Sequence, residues 1–280
     1  VYGSPVKSFP YYIATGYHRL KSTCKTTYQS SDSIVEKSVF AYDTERPYNI
    51  ISKSSLCSGG AEQVERTYYS NNTIPDKEFL TTSQRSAIQL LTSRNYLTTP
   101  VQQTMEKKDK RLYSVLRGYS SSLSSGMVVE DQYYCKGTDK YEKRISYNKY
   151  DIYGNPVYIN KDGAEKVVYL WGYKGQYLLA EIKGATYEEV KKALMVDPAS
   201  MSSCILPSMP LYLDMIDNLY KALPSALITS YTYHPLIGIS GIISPNKAKT
   251  TFEYNSDSQL IRIKDTEGKT MEEYQYHFRP

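Results

Sequence analysis

Histidine is scarce in this sequence: His18, His234 and His277 are the whole supply. The four cysteines, Cys24, Cys57, Cys135 and Cys204, form no Cys-x-x-Cys pair. A zinc or other metal centre draws on clustered ligands of these types, so no metal is expected, and one or two disulfides of undetermined connectivity are compatible with the spacing. No apolar run reaches the roughly eighteen residues of a transmembrane helix, which excludes a helical membrane span. No Walker loop, dinucleotide fingerprint, His-Glu-x-x-His or calcium loop occurs, so no cofactor is expected either. The net charge of +5 is mild. Its densest basic stretch, Lys107-Lys108-Asp109-Lys110-Arg111, lies between two alternating runs and reads as a solvated hairpin tip, so no nucleic-acid partner is expected.

Against five phenylalanines and one tryptophan stand thirty tyrosines. Many fall in strand-like patterns. Tyr231/Tyr233, Phe252/Tyr254 and Tyr274/Tyr276 are aromatic pairs two residues apart, recurring about every twenty residues. Residues two apart in a strand share a face, so each pair lays two rings side by side. Between them Leu260 to Asp265 alternates, and Pro245-Asn246-Lys247, Asn255 to Ser258 and Thr266-Glu267-Gly268 supply turn chemistry. Upstream, Tyr150-Asp151 precedes Tyr153-Gly154-Asn155-Pro156, then a short strand to Asp162-Gly163, then Val167, Tyr169, Trp171 and Tyr173. Gly154 and Gly163 fit tight turns that need positive φ. The reading is a mainly β chain built of antiparallel hairpins.

Two stretches carry a family resemblance. Tyr150-Asp151-x-Tyr153-Gly154-Asn155-Pro156 with Asp162-Gly163, and Phe252-x-Tyr254-Asn255 through Asp265 and Gly268 to Tyr274-x-Tyr276, resemble YD repeats of the Rhs type, strongest over residues 143–280. The second copy departs from the pattern, with Asn255 at the eponymous Asp and Ser258-Gln259 where Gly-Arg is usual, and a looser turn is expected there. The resemblance implies an elongated curved sheet on the extracellular or outer-membrane surface of a bacterium, a repeat framework marked by Tyr150, Asp151, Gly154, Asp162, Gly163, Tyr233, Tyr254, Gly268 and Tyr276, glycans or other cell-surface proteins as partners, and, in longer relatives, a shell around a toxin. Val1 opens without the charged and apolar segments of a signal peptide, so for an exported chain the expectation is that the signal has been removed or that the chain is part of a longer polypeptide.

Three segments break the β pattern. Ser83 to Arg94, capped by Thr82 or Ser83, carries Ala87, Ile88, Leu90 and Leu91 on a broad face. Thr186-Tyr187-Glu188-Glu189 is a capping box opening a helix to about Val196, and Pro210 to Leu223 follows a helical rhythm until Pro224. The last two form a helical insert, 185–224, expected to cover the sheet. The organisation is thus a degenerate β-repeat region with one helix (1–142) and a YD-repeat region with the insert (143–280), read as one continuous array.

Candidate chemistry is sparse. Gly238-Ile239-Ser240-Gly241 is one residue short of a nucleophile elbow and lies in an alternating run, so a glycine-relieved strand is the better reading. The adjacent pairs Glu130-Asp131, Glu188-Glu189 and Glu272-Glu273 would send their carboxylates to opposite faces of a strand. Trp171 with Tyr169, Tyr173 and Tyr177 offers a candidate sugar platform. The competing reading is that Tyr169, Trp171 and Tyr173 share a face and pack under the insert. The expected function is a non-catalytic surface scaffold or adhesin with carbohydrate as candidate ligand. The alternatives are a fragment of an Rhs-like toxin shell and a carbohydrate-active enzyme.

Overall fold

The computed structural model describes residues 18–29, 32–56, 60–122, 126–203 and 209–277. Its strands are β1 (Ser22–Gln29), β2 (Asp32–Tyr42), β3 (Ile50–Leu56), β4 (Glu62–Tyr69), β5 (Pro100–Lys107), β6 (Lys110–Ser122), β7 (Gly126–Lys136) and β8 (Glu142–Tyr150). They continue with β9 (Pro156–Lys161), β10 (Glu165–Gly172), β11 (Tyr177–Lys183), β12 (Leu227–His234), β13 (Gly238–Ile243), β14 (Lys249–Tyr254), β15 (Leu260–Lys264) and β16 (Thr270–Glu273). Hydrogen bonding follows chain order, each strand pairing with the next in one antiparallel sheet. This meander is what tight turns between alternating runs produce, since short loops can join only antiparallel neighbours. Two turns show the local cause. Asp162 and Gly163 both hold positive φ (48° and 72°) between β9 and β10, and Lys108 and Asp109 (51° and 57°) form the solvated tip between β5 and β6.

The chain divides into two compact units. One comprises the residues up to Thr67 with Met105–Lys110, and the other Tyr68–Thr104 with the residues from Arg111 onward. Both core clusters lie in the second unit.

The helices sit where hydrophobic periodicity changes. Helix α1 (Thr82–Ser93) is capped by Thr81, one residue earlier than expected, because Thr81 and Gln84 complete a capping box. Its buried Ala87, Ile88 and Leu91 pack with Val101, Leu116 and Cys135 of the sheet. Helix α2 (Tyr187–Leu194) carries the expected box of Thr186 and Glu189, and α3 (Met209–Ala222) follows a 3-10 segment, Pro198–Ser203. Val190, Leu194, Ile216 and Leu219 meet Val168, Leu170, Ala180, Ile182 and Ile228 in a second core. The insert does cover the sheet. Among the described residues no helix is long and apolar enough to cross a membrane. Cys24 is an exposed free thiol and Cys135 a buried one, whereas Cys57 and Cys204 lie outside the described residues.

Candidate functional site

The aromatic residues of the repeat act on the backbone. At the end of β6, β8, β10, β12 and β14 the strand register shifts by one residue immediately before an aromatic ring: Gly118/Tyr119, Lys149/Tyr150, Leu170/Trp171, Thr232/Tyr233 and Glu253/Tyr254. Each shift leaves one extra residue on the following strand, Glu130, Val157, Leu179, Ser240 and Ile261 respectively, a β-bulge that sharpens the local twist opposite the ring. The ring reaches back to the preceding strand and donates a hydrogen bond to one of its carbonyls. Tyr119 donates to Pro100 (2.8 Å), Tyr150 to Val129, Trp171 through Nε1–H to Pro156 (2.8 Å), Tyr233 to Leu178 (2.8 Å), Tyr254 to Ile239 (2.9 Å) and Tyr276 to Leu260 (2.8 Å). In the first unit Tyr42, again just after a bulge, donates to Leu20 (3.0 Å).

The acceptors are not arbitrary. Val129 is the strand partner of Tyr119, Pro156 of Tyr150, Leu178 of Trp171, Ile239 of Tyr233 and Leu260 of Tyr254. From Tyr150 onward each ring therefore bonds to the residue that pairs with the preceding ring. The outcome is a relay of clasps running from hairpin to hairpin. It makes chemical use of tyrosine in place of phenylalanine: an apolar ring lies on the strand while the hydroxyl donates to a backbone carbonyl.

The residue after the ring builds the turn. Asp151 is buried, and its Oδ1 accepts from the backbone N–H of Tyr153 (2.9 Å) and Asn155 (2.8 Å). Asn255 makes the same two bonds, to Asp257 (3.0 Å) and Gln259 (2.9 Å), so the looser turn expected there is not found. A carboxamide oxygen accepts as a carboxylate does. The departure is absorbed instead at Ser258, held at φ 62° where the family pattern has glycine. Asp43 of the first unit follows Tyr42 in the same way but accepts from Glu45 (2.9 Å) and from Arg46 (3.0 Å), three and not four residues on, in a longer turn closed by Asn49. Gly154 (φ 86°) and Gly268 (φ 81°) hold the left-handed backbone of their turns.

The four platform candidates separate. Val168 and Leu170 point into the core under the insert, so Tyr169 and Trp171, one residue out of phase, stand on the other face, both half-buried. The expectation that Tyr169, Trp171 and Tyr173 share a face under the insert is thereby corrected. Tyr173 leaves the alternation at φ 51° and packs against the helical core. There it meets Tyr177 edge-on, with ring centroids 4.9 Å apart, and Tyr177 meets Tyr233 at 4.7 Å.

The carboxylates also differ from expectation. Glu130 is the extra residue of the bulge opposite Gly118 and Tyr119, so Glu130 and Asp131 converge instead of pointing to opposite faces. Gln84 of α1, fully buried, donates through Nε2 to Glu130 (2.9 Å) and Asp131 (3.1 Å). Asp131 further accepts from Ser146 (2.9 Å) and Tyr133 (3.2 Å) and pairs with Lys143 (3.0 Å). With its acceptors so committed, the pair works as the polar tie between α1 and the sheet. A hollow of about 540 Å³ beside α3, lined by Leu213, Thr232, Ser240, Thr251, Glu253 and Tyr254, holds a carboxylate that is paired with Lys264 and Arg262.

Burial tunes the phenols. It pushes Tyr119 up to about 12, and it does the same to Tyr169, aided by Glu181, and to Tyr233, aided by Tyr231. Tyr150 and Tyr212 are raised further by the same cause. A phenol raised in the folded state favours folding in full below the ordinary value of about 10, and that contribution is lost as pH rises toward the folded value. Cooperative alkaline unfolding is therefore expected between about pH 10 and pH 12, with tyrosinate absorbance and loss of sheet ellipticity changing together. Phenols that titrate smoothly with the sheet signal intact would contradict the burial described.

Neither a family model nor a curated protein matches the chain. Solved structures similar to it include the TcdB2-TccC3-Cdc42 crystal structure, with a TM-score of 0.34 and 10% identity. The Photorhabdus luminescens Tc holotoxin pore gives 0.33 and 11%, and TcdB2-TccC3 without its hypervariable C-terminal region gives 0.33 and 10%. In each comparison 85% of this chain is covered and 13% of the other. The chain thus spans about an eighth of the length of the proteins it is compared with.

Proposed function

We propose that this chain is a non-catalytic wall segment of a longer YD-repeat polypeptide, an Rhs-like shell displayed on the extracellular side of a bacterium. The observation that carries the reading is the relay of clasps. Each hairpin supplies the carbonyl on which the next hairpin's ring is anchored, so stability passes serially along the sheet as it does in repeat arrays. Such a device holds the register of a large sheet. The carboxylates that come together, Glu130 and Asp131, are committed to Gln84 and Lys143, which favours a structural role over hydrolysis. The shell reading is preferred to an adhesin because the aromatic residues of the repeat spend their polar atoms on backbone carbonyls rather than presenting them.

The test is electron microscopy of the intact polypeptide that carries this segment, paired with limited proteolysis. A closed hollow particle that shields an internal segment from protease is the expected result. An open rod whose whole length is equally accessible would refute the shell and favour a surface adhesin.

A further inference from the structure

Two hairpin tips expose large apolar side chains, and a third tip lies between them. In the β8–β9 tip Ile152 is 54% and Tyr153 46% exposed, and in the β12–β13 tip Leu236 is 95% and Ile237 44% exposed. The β10–β11 tip lies between them. A Cβ on its Gly175 would stand 2.8 Å from the Tyr153 ring, and its Tyr177 hydroxyl accepts from the backbone N–H of Leu236 (3.2 Å). The tips therefore form one continuous patch. Leu236 is held at φ 67°, a left-handed conformation that glycine or asparagine adopts more readily, so a leucine there opposes local backbone preference while its side chain touches almost nothing.

The charges on these tips narrow the partner. Lys174 is exposed, whereas the one carboxylate of the three tips, Asp151, is buried in its own turn. The polar next tip, with exposed Asp257, bounds the patch. Apolar side chains flanked by tyrosine and an exposed lysine match the interfacial zone of a bilayer bearing negative headgroups. We propose that the tips Ile152–Tyr153, Lys174 and Leu236–Ile237 dock peripherally onto an anionic lipid membrane. This goes beyond the shell reading and does not depend on it.

The experiment is co-sedimentation of the full chain with phosphatidylcholine vesicles, with and without phosphatidylserine. Wild type is expected to pellet preferentially with the phosphatidylserine vesicles. Leu236→Ser with Ile237→Ser should weaken that association by roughly tenfold or more without moving the denaturation midpoint, since both side chains are exposed. Lys174→Glu should remove the preference for phosphatidylserine. Absence of wild-type binding, or equal binding by the double variant, overturns the proposal. So does concentration-dependent self-association that the double variant abolishes, because the patch would then be an interface between copies of this chain.

Discussion

Gly118→Ala is expected to destabilise the second unit by about 2–3 kcal/mol, although it adds a single methyl group. A Cβ at this position would stand 2.4 Å from Cδ of Gln84 and 2.5 Å from its Nε2. A side-chain terminus can normally swing away from such a clash at little cost. This one cannot, because Gln84 is fully buried, completes the cap of α1, and supplies the donor shared by Glu130 and Asp131. Displacing it leaves two carboxylates short of a partner, which is the costly kind of hydrogen-bond loss. Gln84→Ala should cost a similar amount for that reason. Combining the two changes should cost much less than their sum, since the alanine at 84 removes the clash that Gly118→Ala creates. Denaturant titrations of the two single variants and the double variant check this. Strict additivity, or a neutral Gly118→Ala, would refute the tie between α1 and the bulge.

That tie marks the limit of what the sequence discloses. Hairpins are legible because the signals are local: alternation in Leu260 to Asp265, the turns at Asp162-Gly163 and Asn255 to Ser258, and the box Thr186-Glu189 each sit within a few residues. The cap at Thr81 is legible by the same rule, Thr81-x-x-Gln84, yet the apolar face of the helix draws the boundary one residue too far on. Asp43 is harder to find because no glycine follows Tyr42-Asp43 as it does Tyr150-Asp151. The bulges are hidden for a deeper reason. Strict period-two reasoning assigns Glu130 and Asp131 to opposite faces, and only the partner strand, which contributes Gly118 and Tyr119 opposite Val129 to Asp131, creates the extra residue that brings them together. The partner of each clasp is likewise non-local. Tyr233 and its acceptor Leu178 are separated by the whole helical insert, so no spacing rule connects them.

Trp171→Ala is expected to cost about 3 kcal/mol, the lower end for loss of a large aromatic because the ring is half-buried. Trp171 is the one clasp in the relay that uses an indole N–H in place of a phenol, and its bond to Pro156 ties β10 to β9. Its own strand partner, Leu178, in turn accepts from Tyr233. Removing the ring thus loses burial and a hydrogen bond, and it loosens the strand on which the next clasp is seated. Trp171→Phe separates these contributions: the ring stays, the donor goes, and the loss should fall to about 1 kcal/mol. A coupled effect on the following clasp should show as non-additivity between Trp171→Ala and Tyr233→Phe, while Trp171→Ala and the remote Tyr276→Phe should add. The competing outcome is equally concrete. If Trp171→Ala keeps the wild-type denaturation midpoint and abolishes retention on a glycan array, the indole belongs to a recognition face, and the relay does not pass through β10.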